Sequence, residues 1–267
     1  MQNRLGANTG SYYHYPLEQA LEGIAAAGFR YVELAAIRGV VEHVPLYAGD
    51  NELKFIRDMS RRIGLTPVSL SGHSDLTQDA GIADARECMR ICERLDIAIL
   101  NTAVGGAFNE DEDESAFLAN IQGLASHAKA MGITIALEIH GGLTGTGAKT
   151  RALVEKVKHP SVRINYDTAN CEYFAGVRAE DDLPQALPFL AHCHLKDTAG
   201  GFRNWNFPAL GEGTVDFGKL FGIFQRANYA GPFTVEIEFQ GEPWPPVEVV
   251  NRAMAVSYTY LNRFGLS

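Results

Sequence analysis

Eight short apolar runs, each followed by an amphipathic stretch, constrain this chain more than any other feature. The runs are RLGAN, YVELAAI, PVSLSGH, IAILNTAV, ITIALEIH, VRINYDTAN, HCHLKD and PFTVEIE. Between them lie helical patterns: PLEQALEGIAAAG, NELKFIRDMSRRIG, DARECMRICERLD, SAFLANIQGLASHAKAMG, KTRALVEKVKH, DDLPQALPFLA and DFGKLFGIFQRANY, with PVEVVNRAMAVSYTYLNRF closing the series. Gly28, Gly64 and Gly132 stand just before strands, where a left-handed helix cap needs glycine. Repeated strand–helix units imply a parallel sheet. Eight of them in 267 residues match the size of a closed (β/α)₈ TIM barrel in a single domain over 1–267. A doubly wound open sheet is the alternative.

The alternation of the late strands places their polar groups. In a strand, alternate side chains share a face. In ITIALEIH, Thr134, Ala136, Glu138 and His140 oppose Ile133, Ile135, Leu137 and Ile139. In VRINYDTAN, Arg163, Asn165 and Asp167 oppose Val162, Ile164 and Tyr166. In HCHLKD, His192, His194 and Lys196 oppose Cys193, Leu195 and Asp197, and in PFTVEIE, Thr234, Glu236 and Glu238 oppose Phe233, Val235 and Ile237. The apolar face must meet the helices, so the polar face looks into the barrel. Glu138, Asp167, His194 and Glu236 then close four consecutive strands at the C-terminal mouth, where barrel enzymes keep their active sites.

Three carboxylates and an imidazole at one mouth repel one another without a cation. Hard oxygen donors plus one nitrogen suit a divalent ion, Mn²⁺ first, with Mg²⁺, Co²⁺ or Zn²⁺ as alternatives. The competing reading is an ion-pair network with Lys196, Arg163 and Arg203. His192 sits deeper, as a core or supporting histidine. Glu238 lies nearer solvent. His73 points inward, to substrate or as a satisfied core group, and Glu33 is similar. Trp205 and Phe207 offer an apolar wall beside the mouth, or simply pack.

Other features narrow the class. A formal charge of -9 argues against a nonspecific grip on nucleic acid or an anionic membrane. Cys88, Cys92, Cys171 and Cys193 contain no CxxC and read as reduced, partly buried thiols. The opening MQNRLGANTGSYYHYP lacks an apolar signal core, and no run is long enough to span a membrane. A cytoplasmic protein is expected. The acidic run 109–114 reads as the solvated start of a helix, and the GEPWPP loop, 241–246, as an active-site rim. The glycines of 142–147 do not make a phosphate loop, because Ala148 separates Gly147 from Lys149. LGEG, 210–213, follows strand seven, where barrels often bind phosphate, but Glu212 would repel an anion, so an unphosphorylated substrate is favoured.

GFRYVEL, ALEIHGG, NYDTANCEYFAG, HCHLKD, ALGEGTVDF and GPFTVEIE, in this order, resemble the xylose isomerase-like TIM-barrel superfamily of sugar isomerases, epimerases and apurinic-site endonucleases. The resemblance runs over nearly the whole chain. It implies metal ligands at Glu138, Asp167, His194 and Glu236, the four that strand alternation selects, and a homodimer or homotetramer. The endonuclease branch resembles DTxH where this chain has Asn170, and its D-x-H after strand seven has no counterpart here. The ketose 3-epimerase branch also resembles a histidine at Asn170, and a glutamate where Thr144 stands. A free ketohexose is therefore not singled out.

The chemistry implied is proton transfer next to a carbonyl through a metal-stabilised enediolate, in a keto-sugar or keto-cyclitol isomerase or epimerase. Glu138 and Glu236, on non-adjacent strands, would be base and acid. His140 and Lys196 would bind substrate oxygens, with His73, Asn170 and Trp205 also at the substrate. A dehydratase or lyase shares the first step. A non-catalytic sugar-binding barrel would be marked by a missing ligand, and none is missing.

Overall fold

A computed structural model describes residues 3–106, 111–239, 241 and 243–266. Positions 109–110 of the acidic run and Glu242 of the GEPWPP loop lie outside the described residues. Eight parallel strands close into a barrel: β1 (Leu5–Asn8), β2 (Tyr31–Ile37), β3 (Thr66–Ser71), β4 (Ile99–Thr102), β5 (Thr134–Glu138), β6 (Val162–Asp167), β7 (Leu190–Leu195) and β8 (Phe233–Val235). Each pairs with its neighbours in chain order, and β8 pairs with β1 through Leu5↔Phe233 and Ala7↔Val235. The closed barrel is the expected fold, and the open sheet is ruled out. A two-residue strand, Val41–Glu42, pairs antiparallel with the end of β2. It had no sequence signal because two residues carry no period.

The helices α1 (Leu17–Ala27), α2 (Asp50–Ile63), α3 (Asp79–Leu95), α4 (Glu114–Ala130), α5 (Gly147–Val157), α6 (Ala179–Ala186), α7 (Phe217–Arg226) and α8 (Val247–Asn262) follow the strands in turn. Local chemistry sets their ends. In α2, Asp50 and Glu52 open the first turn and Arg61 and Arg62 the last, each charge opposing the helix dipole. Asp113 caps α4 by accepting from the Ser115 and Ala116 N–H groups, and Asp216 caps α7 through Lys219 N–H. Gly28 and Gly64 cap α1 and α2 at φ 112° and 92°, a region that other side chains rarely adopt.

Several boundaries differ from the sequence reading. The helix in DDLPQALPFLA stops at Ala186. Leu187–Phe189 forms a 3₁₀ turn, and β7 starts at Leu190. Pro188 cannot donate the N–H that would continue the helix. Strands β6 and β7 end at Asp167 and Leu195, and Asn170–Ala175 forms a further short helix. His73, His140, Lys196, Glu236 and Glu238 therefore stand just beyond strand ends, on the rim of the mouth.

The apolar faces of the late strands pack into the main core, including Ile135, Leu137, Val162, Ile164, Tyr166, Cys193, Leu195, Phe233 and Val235. The four cysteines are free and buried. Burial pushes the Cys88 and Cys171 thiols up to about 12, which keeps them protonated and inert. No helix among the described residues is long and apolar enough to cross a membrane.

Candidate metal centre and substrate cavity

The ends of β5, β6 and β7 and the residue after β8 bring Glu138, Asp167, His194 and Glu236 together. One ligand atom from each lies within 4.8 Å of all the others. His194 Nδ1 is 3.4 Å from Glu138 Oε2, 3.5 Å from Glu236 Oε2 and 3.9 Å from Asp167 Oδ2. Ligands about 2.1 Å from one octahedral ion sit roughly 3.0–4.2 Å apart, so these separations fit a shared cation.

Two atoms make the fit specific. Asp167 Oδ1 accepts the Ala169 and Asn170 N–H groups, both at 2.8 Å. Its Oδ2 is buried without a hydrogen-bond partner, and so is His194 Nδ1. Buried polar atoms in native proteins almost always find a partner. Here both orphans face the same point. Charge gives the same answer. Burial, and then the neighbouring Glu138 and Glu236 carboxylates, raise Asp167 to about 7 despite Lys196. Burial opposes a charge on His194, yet Glu33, Glu138 and Glu236 hold its imidazole well above the ordinary histidine value. The cluster demands positive charge, and a divalent ion can supply it in place of a proton.

The remaining contacts lock the ligands. Glu138 Oε2 is 3.0 Å from His73 Nε2 and 3.1 Å from Asn165 Nδ2, while Asn170 Nδ2 reaches Glu138 Oε1 at 3.3 Å. Asn8 Nδ2 donates to Glu236 Oε1 at 2.9 Å. Lys196 Nζ is 3.3 Å from Glu236 Oε2 and also pairs with Glu238. Burial works against its charge, but Glu238, Glu236 and Asp167 raise Lys196 well above the usual lysine range.

A cavity of about 240 Å³ opens over this cluster. Its polar lining includes Asn8, His73, Glu138, His140, Lys196 and Glu236, and its apolar side includes Tyr13, Val41, Trp205, Phe239 and Trp244. His140 is neutral at physiological pH, because burial and the adjacent His73 lower it to about 4. Trp205 meets Tyr173 and Phe207 edge-on.

Of the residues expected at substrate, His73, His140, Lys196 and Trp205 line the cavity. Asn170 does not. It is 3 % exposed and spends its amide on Ile139 O, Glu138 and Lys196. Starting a short helix turns it inward. Phe207 is buried beneath Trp205, with Lys196 Nζ 4.3 Å from its ring centre. Of the ion-pair network expected as the alternative, Lys196 pairs with Glu236 and Glu238. Arg163 lies over Phe189, and Arg203 over Tyr173 and Phe174. Glu238, expected nearer solvent, is part-exposed and pairs with Lys196.

Two glycine-rich loops are also accounted for. Gly147 N–H donates to Asp182, so it is not available to an oxyanion. In LGEG, the Gly211 and Gly213 N–H groups donate to Asp197 at 2.9 and 3.0 Å, joined by Val215 and Thr198 at 3.1 and 2.9 Å. The chain fills this anion nest with its own carboxylate. Asp197→Ala would orphan four backbone donors and is expected to cost about 3–5 kcal/mol. The thermal midpoint, followed by circular dichroism, should fall on the order of 10 °C. An unchanged midpoint would reject that account.

Sequence reasoning gave little weight to Glu33 and did not single out Asn8, Asn101 or Asn165. These form the floor beneath the ligands. The signal was present as lone polar residues within apolar strands, but one strand alone does not say what such a group meets.

Comparison with known proteins agrees with the barrel fold. Residues 21–260 match the family model described as xylose isomerase-like TIM barrel. The putative L-ribulose-5-phosphate 3-epimerase SgbU of Escherichia coli (strain K12) is 27% identical over 207 residues, 70% of this chain and 71% of that protein. An inosose dehydratase of Serratia proteamaculans (strain 568) is 27% identical over 158 residues, 50% of this chain and 52% of the enzyme, so the chain spans about half the length of that relative. Among solved structures, D-allulose 3-epimerase from Methylomonas sp. in complex with D-allulose superposes with a TM-score of 0.79 at 19% identity, covering 98% of this chain and 97% of that one. With the barrel and the matched 240-residue stretch together, the chain belongs to the xylose isomerase-like TIM-barrel family.

Proposed function

We propose that this protein is a divalent-metal-dependent isomerase or epimerase of a keto-sugar or keto-cyclitol. The observation that carries the reading is the convergence of Glu138, Asp167, His194 and Glu236, two of them with orphaned ligand atoms, beneath a substrate-sized cavity that Glu138 and Glu236 line. Those four residues would hold the ion, with Mn²⁺ as first choice and Mg²⁺, Co²⁺ or Zn²⁺ as alternatives. When bound, it supplies Lewis acidity toward a carbonyl oxygen.

The chain's own groups would do the rest. One of Glu138 and Glu236 takes the proton from the carbon beside the carbonyl. The C–H electron pair moves into a C=C bond, and the carbonyl pair moves onto oxygen. The other carboxylate returns a proton to the opposite face or the neighbouring carbon. The two stand on β5 and after β8, with β6 and β7 between them, so they approach substrate from different sides. Glu138 is oriented by His73, and Glu236 by Asn8 and Lys196. Lys196 and neutral His140 offer N–H donors to developing oxyanions. Trp205 and Trp244 give the sugar ring an apolar surface and exclude water.

A dehydratase reading has support from the inosose dehydratase relative. It uses the same first step, followed by loss of a β-hydroxyl as water. Proton NMR in D₂O separates the two, with Mg²⁺-loaded protein and a panel of ketoses and keto-cyclitols. The expected result is deuterium at the carbon beside the carbonyl together with a new isomer. Water loss would move the assignment to the dehydratase. No exchange with any divalent ion would mean that the substrate lies outside the panel or that the barrel only binds sugar.

A further inference from the structure

We infer that Glu33 is a positioning residue that fixes which nitrogen of His194 faces the metal. The inference rests on the metal reading above. Glu33 comes from β2, separated from β7 across the seam by β8 and β1, and is fully buried. Its Oε1 lies 3.0 Å from His194 Nε2, closer than the Asn165 amide at 3.3 Å, whose Nδ2 also donates to Glu138 at 3.1 Å. The other ring nitrogen, Nδ1, has no hydrogen-bond partner and faces Glu138, Asp167 and Glu236. A neutral imidazole carries one proton. A carboxylate beside Nε2 can only accept, so it draws that proton to Nε2 and leaves the Nδ1 lone pair for the ion. The partner of the distal nitrogen sets tautomer, ring orientation and ligand basicity.

The rest of the floor holds Glu33 in place. Ser69 Oγ and Thr234 Oγ1 donate to Oε2, both at 2.8 Å, and Asn101 Nδ2 donates to Oε1 at 3.0 Å. Asn8 Nδ2 reaches the same Oε1 at 3.5 Å while holding Glu236. The carboxylate thus touches one proposed ligand directly and a second through Asn8. Glu33, His192 and His194 are themselves grouped closely enough to suggest a second ion site. That group lacks the orphaned donor atoms that mark the main cluster: both His192 nitrogens are partnered, by Ser69 and Asn165, and both Glu33 oxygens are held.

The test uses the full chain loaded with diamagnetic Zn²⁺ and labelled with ¹⁵N-histidine. Long-range ¹H–¹⁵N correlation should show His194 as a single tautomer, protonated at Nε2 and metal-shifted at Nδ1. Zn²⁺ affinity, measured by competition with a chelator, should fall about 10-fold in Glu33→Gln, whose amide oxygen can still accept, and about 100-fold in Glu33→Leu. The Glu33→Leu spectrum should show mixed or reversed protonation. Where Glu33→Leu fails to fold, a Glu33→Gln variant within twofold of wild-type affinity would by itself overturn the role. Zn²⁺ bound with the proton on Nδ1, or Glu33→Gln and a folded Glu33→Leu both within twofold of wild-type affinity, would overturn this role alone. A wild-type protein that binds no Zn²⁺, Mn²⁺ or Mg²⁺ would overturn the metal reading as well.

Discussion

Glu236→Gln is expected to lower turnover by about 10³-fold or more while leaving the fold intact. General acid–base groups contribute roughly 10²–10⁴-fold, and an amide cannot carry the proton. Gln matches Glu in shape and keeps one acceptor oxygen, enough for either Asn8 Nδ2 or Lys196 Nζ, which now hold separate oxygens of the Glu236 carboxylate. The loss should therefore fall on kcat more than on KM. The measurement is initial rate against substrate concentration for the substrate found by deuterium exchange, with circular dichroism as the control for folding. A variant within tenfold of wild-type kcat would remove Glu236 from the chemistry.

Chelation should have the second large effect. Stripping divalent ions with EDTA is expected to abolish activity and to lower the thermal midpoint. Ligand binding stabilises by about 4 kcal/mol when the free ion is at 1,000 times its dissociation constant. At roughly 2–4 °C per kcal/mol for a chain of this size, the shift is on the order of 10 °C. Asp167→Asn isolates the site. Its Oδ1 can keep accepting from the Ala169 and Asn170 backbone, but the anionic Oδ2 is gone. That variant should show little added stability when Mn²⁺ is restored. A midpoint that rises equally in variant and wild type would place the ion elsewhere.

The barrel was legible because each strand run is short, apolar on one face and closed by a turn residue, and because glycine marks several helix ends. The four ligand candidates were legible for a related reason: alternation tells which side of a strand a residue takes, and Glu138, Asp167, His194 and Glu236 all take the polar side. Depth was harder. His192 and His194 share a face, yet His192 lies lower, near Asn165 and Ser69. The registers of β6 against β7 and of β2 against β3 are each interrupted by an irregularity, which no periodic pattern reports. Glu33 was weighed too lightly because its significance depends on a strand that arrives 161 residues later. The same distance problem concealed Asp197 as the occupant of the LGEG nest. Local patterning gives side and order, whereas partners across the barrel come from closure.

Closure has a kinetic meaning for the site. The seam joins β8 to β1, bringing Phe233 beside Leu5. Asn8 and Glu236, on the two sides of that seam, are 228 positions apart and share a hydrogen bond. Contacts of such sequence separation carry the greatest loop-closure penalty and make topologies of this kind slow to fold. The four ligands all sit on β5 to β8, but Asn8 and Glu33, which hold Glu236 and His194, lie across the seam and stay out of reach while it is open. Ion capture would then serve as a clock for folding: the appearance of tight binding times the last pairing step rather than the first collapse.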